Sequence, residues 1–244
     1  MDNMMIDMLL DLIKKRRSIR RFKPEAIPEG YIEKILESGR WAMSGANAQP
    51  WEFIVVRDEA TRKKIVDSWF EPTKEAYIIE QTRLPDMRHH HLRELATSPA
   101  FRDAPVLIAV IGDRRTYQAT VLGANFLVTE GGSGAIYFKN MANTTQNIHL
   151  AAAALGLGSE WISVNRLWAE AIKGILEIPE LLDVHTMVAV GYPAYQPKEA
   201  YRRPLADMVH YDKYDRSKYR SGEDIYRYIA ELRQKTEPIY RQGL

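Results

Sequence analysis

The chain has 244 residues, 45% of them hydrophobic, and 34 Lys and Arg against 32 Asp and Glu give a net charge of +2. This length and composition suit one large domain with a substantial core, and the near balance of charges argues against a protein that binds nucleic acid. The absence of cysteine excludes disulfide bonds, thiolate nucleophiles and cysteine-ligated metals.

The N-terminus has none of the features of a signal peptide. It carries Asp2, Asp7 and Asp11 and lacks both a basic region and a small-residue cleavage site. No run of 18 apolar residues occurs anywhere in the chain, as a membrane-spanning helix would require. We therefore expect a soluble, cytoplasmic protein with no membrane partner.

A first helix is predicted over residues 4–15, where apolar residues recur at helical spacing. It delivers a dense cationic stretch at residues 16–22, with four arginines and one hydroxyl, Ser18. Guanidinium groups match phosphate oxygens in geometry and stay charged, so the stretch indicates a binding site for a small phosphorylated ligand. The alternative is a solvated helix end whose arginines pair with carboxylates.

A second helix from Glu29 to about residue 40 is followed by a small, polar loop over residues 43–51 and a strand over 52–57. Such a loop lets the backbone approach a ligand closely. An ordinary turn, with Asn47 in an unusual backbone conformation, is the alternative.

The next elements are a helix over residues 61–69, an irregular helical region over 72–95, and a strand over 105–113. The strand is a continuous apolar run, typical of a central strand covered on both faces. Three adjacent histidines, residues 89–91, would point around a helix and not to one centre, so we predict no metal site there or elsewhere.

The glycines of residues 130–134 lack the lysine and the spacing of a phosphate loop, so a hinge is the preferred interpretation. A helix over 135–155 follows, and its last turns have almost no polar face, which predicts burial in the domain centre or in a dimer interface. A strand over 159–164, a helix over 167–176 and a strand over 186–191 complete the compact part.

Beyond residue 191 the composition changes to proline, arginine and tyrosine, with too little aliphatic content for a separate core. A terminal helix is predicted over residues 225–232. We expect one domain over residues 1–207 and, over 208–244, an arm that packs on a partner subunit.

Four motifs in order carry a resemblance to a known family: RRSIRRF, SGANAQPWEFIVV, LAAAALGLGSEWI, and GYP followed by RRPL. Together they span residues 16–205 and resemble the nitroreductase superfamily of FMN-dependent oxidoreductases. The resemblance implies an α+β fold with a central, mostly antiparallel sheet flanked by helices. It also implies a homodimer with flavin at the interface and the C-terminal arm swapped onto the partner.

The resemblance also implies which residues hold FMN. They are Arg16, Arg17, Ser18 and Arg20 for the phosphate and the pyrimidine edge, Arg203 for the phosphate, Trp161, Ile162 and Ser163 along the reactive edge, and Ser44, Gly45 and Asn47 from the partner subunit. The sequence departs from the family pattern at Ser163, where many members have glycine, and at Met43, where many have proline. The Ser163 hydroxyl is a candidate hydrogen-bond donor to flavin N5.

The function implied is the reduction of a small electron-poor acceptor, such as a nitroaromatic or a quinone, by NADH or NADPH in a ping-pong cycle. An alternative within the same fold is a specialised flavin enzyme, either a reductive dehalogenase or a biosynthetic reductase. An alternative from another class is a non-enzymatic module that binds an anionic partner through the arginines.

Overall fold

A computed structural model describes residues 4–88, 98–116 and 132–240. The helices and strands are, in chain order, α1 (Met4–Lys15), α2 (Glu29–Arg40), β1 (Trp51–Val56), α3 (Glu59–Asp67), α4 (Phe70–Gln81), β2 (Val106–Gly112), α5 (Gly132–Ala154), β3 (Gly158–Ser163), α6 (Arg166–Leu176), β4 (Asp183–Gly191) and α7 (Gly222–Tyr240).

The predicted helices and strands are present, with their ends shifted by a few residues. Within the helical region expected over 72–95, α4 ends at Gln81 and a 3-10 turn follows at Pro85–Met87, and the rest of the region beyond residue 88 lies outside the described residues. The histidines 89–91 and the first part of the expected hinge lie outside the described residues. The terminal helix extends beyond the expected bounds at both ends, from Gly222 to Tyr240.

Four strands form one antiparallel sheet in the order β1-β2-β4-β3. Every residue of β2 is buried, as its unbroken apolar sequence predicts for a strand covered on both faces. β1 and β3 form the two edges. This confirms the predicted α+β fold with a mostly antiparallel sheet.

Helices cover both faces of the sheet, and alternate residues of β2 point to opposite sides. Leu107 and Ala109 pack with Ile65 of α3 and Trp168 of α6. Ile108 and Val110 pack with residues of α2 and α5 in a second cluster. The sheet is therefore the middle layer of three.

The turn from α5 into β3 has the backbone that its sequence predicts. Gly156 has φ +75, and the Leu157 amide donates to the Ala152 carbonyl at 2.9 Å. Such a left-handed residue ends a helix at low cost when it is glycine. This turn aims β3 along the sheet edge next to the arginine stretch.

Apolar side chains outside the two clusters remain exposed. No residue of α1 is buried, and Met5, Trp41 and Met43 are all exposed, as are several tyrosines of residues 208–226. Exposed apolar surface of this extent marks interaction sites. The last turns of α5 are only partly covered, with Ala152 buried and Ala154 exposed.

The described part of the chain holds neither a helix with the length and apolar character that a membrane crossing demands nor a group of three acidic or histidine side chains able to hold a metal.

Candidate functional site

The arginine stretch lies along the outer edge of β3, held there by backbone hydrogen bonds. The Ile19 amide donates to the Ser159 carbonyl at 3.0 Å, and the Lys23 amide donates to the Tyr192 carbonyl at 2.9 Å. Ile19 and Phe22 are buried in the core. Because the apolar side chains of this segment point inward, its arginines are turned away from the core.

A cavity of about 220 Å³ opens beside this segment. Four of the residues predicted from the sequence line it together with residues that follow β4: Arg16, Arg17, Ser18, Arg20, Tyr195, Pro197, Ala200, Tyr201, Arg202 and Thr236. In the structure, all residues after β4, 192–244, are called the arm. We call this space the arginine cavity. Its wall offers guanidinium groups and a hydroxyl to whatever binds there.

The positive charges of the arginine cavity act on one another. Burial lowers the pKa of Arg16 and of Arg17 below the ordinary arginine value, and the nearby charge of Arg202 lowers both further. Like charges held together in a partly buried space repel, and a bound anion relieves that repulsion. The arrangement therefore favours an anionic ligand.

Arg20 differs from its neighbours because it is paired with an acid of β3. Its Nε lies 3.3 Å from Oε1 of Glu160, and the two side chains are 19% and 12% exposed. The backbone amide of Arg20 donates to the Tyr195 hydroxyl at 3.3 Å, which joins the segment to the arm. In the sequence, nothing distinguishes Glu160 from the other residues of its strand.

The arm places Arg202 in the cavity wall instead of Arg203, which the resemblance had favoured. The Arg203 guanidinium lies 5.8 Å from the centre of the Tyr228 ring, whereas Arg202 lines the cavity. Two adjacent arginines in an extended segment point in different directions, so the motif alone could not distinguish them. The role of Arg203 stays a prediction.

The predicted residues of β3 face different surroundings. The Ile162 side chain is 4% exposed and packs in the core, so only its backbone can face a ligand. Trp161 is 38% exposed, and Ser163 ends the strand in an exposed position. Trp161 and Ser163 therefore offer side chains on one face of β3, and neither of them lines the arginine cavity.

The ring of His149 packs against the ring of Trp161. The two rings are stacked with centroids 5.8 Å apart, and His149 Nδ1 lies 2.7 Å from the Ser159 hydroxyl oxygen. Burial lowers the pKa of His149 to about 4, and the charge of Arg16 contributes to this. His149 is therefore neutral at neutral pH. Because Ser159 is only 2% exposed, this pair is unsuited to nucleophilic catalysis.

The small-residue loop lies elsewhere in the chain, against α5. The Gly45 amide donates to Oδ1 of Asn140 at 3.2 Å, and Asn143 donates to the Met43 carbonyl at 3.1 Å. Asn47 has φ 51, an unusual conformation of the kind that the turn interpretation allowed for this residue. Among the described residues that line the arginine cavity, none comes from this loop. Within the described part of one chain, the loop therefore contributes nothing to the wall of the arginine cavity.

The arginine cavity fits the phosphate end of FMN and not the whole molecule. Several guanidinium donors and a hydroxyl match the acceptor oxygens of a phosphate dianion. The volume of about 220 Å³ is smaller than the roughly 300–1,000 Å³ typical of sites for larger ligands. A flavin ring would have to lie outside this cavity.

The chain is an α+β protein with a cavity lined by arginines at the edge of its sheet. The model of the Nitroreductase family matches residues 13–192, which is more than half of the chain. The protein therefore belongs to the nitroreductase family.

Two relatives and one solved structure illustrate the similarity. A putative NADH dehydrogenase/NAD(P)H nitroreductase from Archaeoglobus fulgidus is 31% identical over 209 residues, covering 84% of this chain and 98% of the relative. The 5,6-dimethylbenzimidazole synthase of Rhodospirillum rubrum is 29% identical over 182 residues, covering 75% of this chain and 80% of the relative. The solved structure of an FMN-dependent nitroreductase from Clostridium difficile R20291 has a TM-score of 0.60 at 22% identity, covering 84% of this chain and 99% of that one.

Proposed function

We propose that this protein is an FMN-dependent oxidoreductase that uses NADH or NADPH to reduce small electron-poor acceptors such as nitroaromatics or quinones. One observation carries the proposal: Arg16, Arg17, Ser18 and Arg20 meet Arg202 of the arm at one cavity beside β3. Membership of the nitroreductase family and the name of the Archaeoglobus fulgidus relative support the activity.

The residues of the arginine cavity would bind the phosphate of FMN and fix the cofactor in place. Trp161 and Ser163, exposed on the same edge, would lie along the ring, and Ser163 would offer its hydroxyl to flavin N5. FMN, when bound, supplies the transfer of two electrons from the nicotinamide to the acceptor. The positive charges of the cavity favour negative charge on the reduced ring.

The site would be completed in a homodimer in which the partner contributes its own small-residue loop. The separation of that loop from the arginine cavity within one chain supports this arrangement. The exposed apolar residues of α1, the loop and the arm supply surface for such an interface. Residues 208–244 of the arm would pack on the partner.

The absorbance spectrum of the purified protein tests the proposal. We expect the spectrum of bound flavin, release of FMN on denaturation, and alternating use of one pocket by the nicotinamide and the acceptor, seen as parallel lines in double-reciprocal plots at several acceptor concentrations. A preparation that is colourless and stays colourless with excess FMN would overturn the proposal. The choice between NADH and NADPH follows from kcat/KM measured with each.

A second candidate is a specialised biosynthetic flavin enzyme, and the similarity to a 5,6-dimethylbenzimidazole synthase over 75% of this chain favours it. The same preparation separates the two. An FMN-loaded protein that reduces simple nitroaromatics and quinones only slowly with both NADH and NADPH supports the specialised enzyme. Rapid turnover supports the general oxidoreductase.

A further inference from the structure

The Arg20–Glu160 pair sets an acid beside a cavity lined by cations. The Nε of Arg20 and Oε1 of Glu160 are 3.3 Å apart, and both side chains are largely buried. The second carboxyl oxygen, Oε2, is also buried and accepts no hydrogen bond from the part of the chain that the structure describes. An ionised carboxyl group in this position is held by a single partner, which makes its charge costly.

Few charged groups act on this carboxyl. Burial raises the pKa of Glu160 to about 7, and the charge of Arg20 opposes that rise. On the other face of β3, His149 of α5 contacts Ser159 and Trp161 and is neutral above about pH 4. From the arm, the Tyr195 hydroxyl contacts the backbone of Arg20. The protonation state of Glu160 therefore changes near neutral pH, and the guanidinium group of Arg20 is the charge that favours its ionised form.

We propose that Glu160 is a positioning residue that holds Arg20 until an anion enters the arginine cavity, and that it takes up a proton when the anion pairs with Arg20. The inference rests on the proposed function in taking the phosphate of FMN as that anion. The ionised carboxyl group and the phosphate compete for the same guanidinium, and they repel each other as like charges.

The direction of the pH dependence follows from this competition. A bound anion favours the protonated, neutral form of Glu160, so the anion binds best below pH 7 and less tightly as the pH rises through 7 and above. A linkage of this kind changes affinity by at most about tenfold per pH unit. The phosphate of FMN loses its own second proton near pH 6, so measurements between pH 7 and 8.5 avoid that contribution.

The test is to measure FMN binding to protein depleted of flavin, both by fluorescence and by calorimetry. For the unaltered protein we expect affinity to fall about fivefold from pH 7 to 8.5. Calorimetry at pH 7.5 in two buffers of different ionisation enthalpy should show net proton uptake on binding. The variant Glu160→Gln should bind FMN about fivefold more tightly than the unaltered protein at pH 8.5, with no slope over this range.

A matched control is Glu29→Gln. Glu29 pairs with Arg57 at the surface and does not line the arginine cavity, so this variant should keep the original slope. Proton uptake by the unaltered protein decides the question even if Glu160→Gln fails to fold. A flat pH profile without proton uptake, or a Glu160→Gln variant that keeps the slope, overturns the inference.

Sulfate separates this inference from the proposed function, because the charge of sulfate does not change between pH 7 and 8.5. Proton uptake on sulfate binding, in a protein that binds no FMN, would reject the flavin enzyme and support the role of Glu160. FMN binding whose affinity does not change with pH would support the flavin enzyme and reject the role of Glu160.

Discussion

The arginine segment and the small-residue loop are the two regions predicted to meet the flavin, and they are held in different ways. The segment is bonded through its backbone to β3 and Tyr192, and it buries Ile19 and Phe22 in the core. The loop is hydrogen-bonded to the side chains of Asn140 and Asn143 of α5, and none of its residues 44–47 is buried. The predicted phosphate contacts thus belong to a segment bonded to the sheet, whereas the predicted ring contacts belong to an exposed turn.

This difference indicates a division of roles. A segment built into the sheet keeps its arginines in place before a ligand arrives, which lowers the entropy cost of binding. A turn held by a few side-chain hydrogen bonds is among the regions that open most easily. Changes to the segment should therefore affect FMN affinity strongly, and changes to the loop should affect it weakly.

Truncation after Asp207 tests whether the arginine segment of one subunit and the small-residue loop of its partner form one site. It removes α7, including Thr236 of the cavity wall, and the exposed tyrosines of the arm. We expect loss of the dimer in sedimentation and at least a tenfold loss of FMN affinity. Removal of residues 241–244 alone serves as the control and should leave both unchanged. A truncated protein that stays dimeric would show that the arm is not needed to join the regions.

Gly158→Ala tests the attachment of the arginine segment to β3. A Cβ at residue 158 would lie 2.6 Å from Cγ1 and 2.7 Å from Cβ of Ile19, so the segment must move. Overpacking of this kind costs about 1–3 kcal/mol, and we expect FMN affinity to fall with stability in chemical denaturation.

Gly174→Ala is the matched control for that substitution. Gly174 lies within α6, and an added Cβ would meet nothing within 4 Å. Alanine should stabilise this helix by about 0.5–1 kcal/mol without changing FMN binding. Equal effects of the two substitutions would contradict the close contact between Ile19 and β3.

Arg202→Ala and Arg203→Ala compare the structural and the sequence-based assignments in the arm. A hydrogen bond to a charged group contributes about 1.5–3 kcal/mol, so loss of Arg202 from the cavity wall should weaken FMN binding at least tenfold in a fluorescence titration. Loss of Arg203, whose guanidinium faces Tyr228, should cost less than about threefold. The reverse order would restore the assignment made from the motif.

Ala46→Gly has the smallest expected effect. Ala46 has φ 53, a left-handed conformation that costs a non-glycine residue roughly 1–2 kcal/mol. Glycine should raise the thermal midpoint with little change in FMN affinity. The expected gain in the free energy of unfolding is about 0.5–1 kcal/mol once the entropy cost of glycine is included. Ala154→Gly at the end of α5 is the control and should lower stability. If both variants are less stable than the unaltered protein, the loop gains nothing from relief of strain.

The sequence predicted well those features that depend on local pattern. The unbroken apolar run of β2 and the helical spacing of α1 each fix an element through its own residues. The arginine stretch was recognised for the same reason, because its charges are adjacent in the chain.

Features that depend on tertiary placement were not predictable in the same way. Glu160 is 140 residues from Arg20 in the sequence, and the two meet only because residues 16–22 lie along β3. The choice of Arg202 over Arg203 depends on how the arm turns. In the sequence, Asn140 and Asn143 are only polar residues of a helix. Their hydrogen bonds to the loop are evident only in the structure.

The position of residues 16–22 also bears on how the protein avoids aggregation. β3 is an edge strand, and an uncovered edge offers unpaired backbone groups to other molecules. Here the segment that presents the arginines also covers part of that edge, with a bridge between Ser18 and Ser159. A variant that frees the segment would therefore expose a surface for strand addition, and insoluble aggregates would accompany the loss of ligand binding.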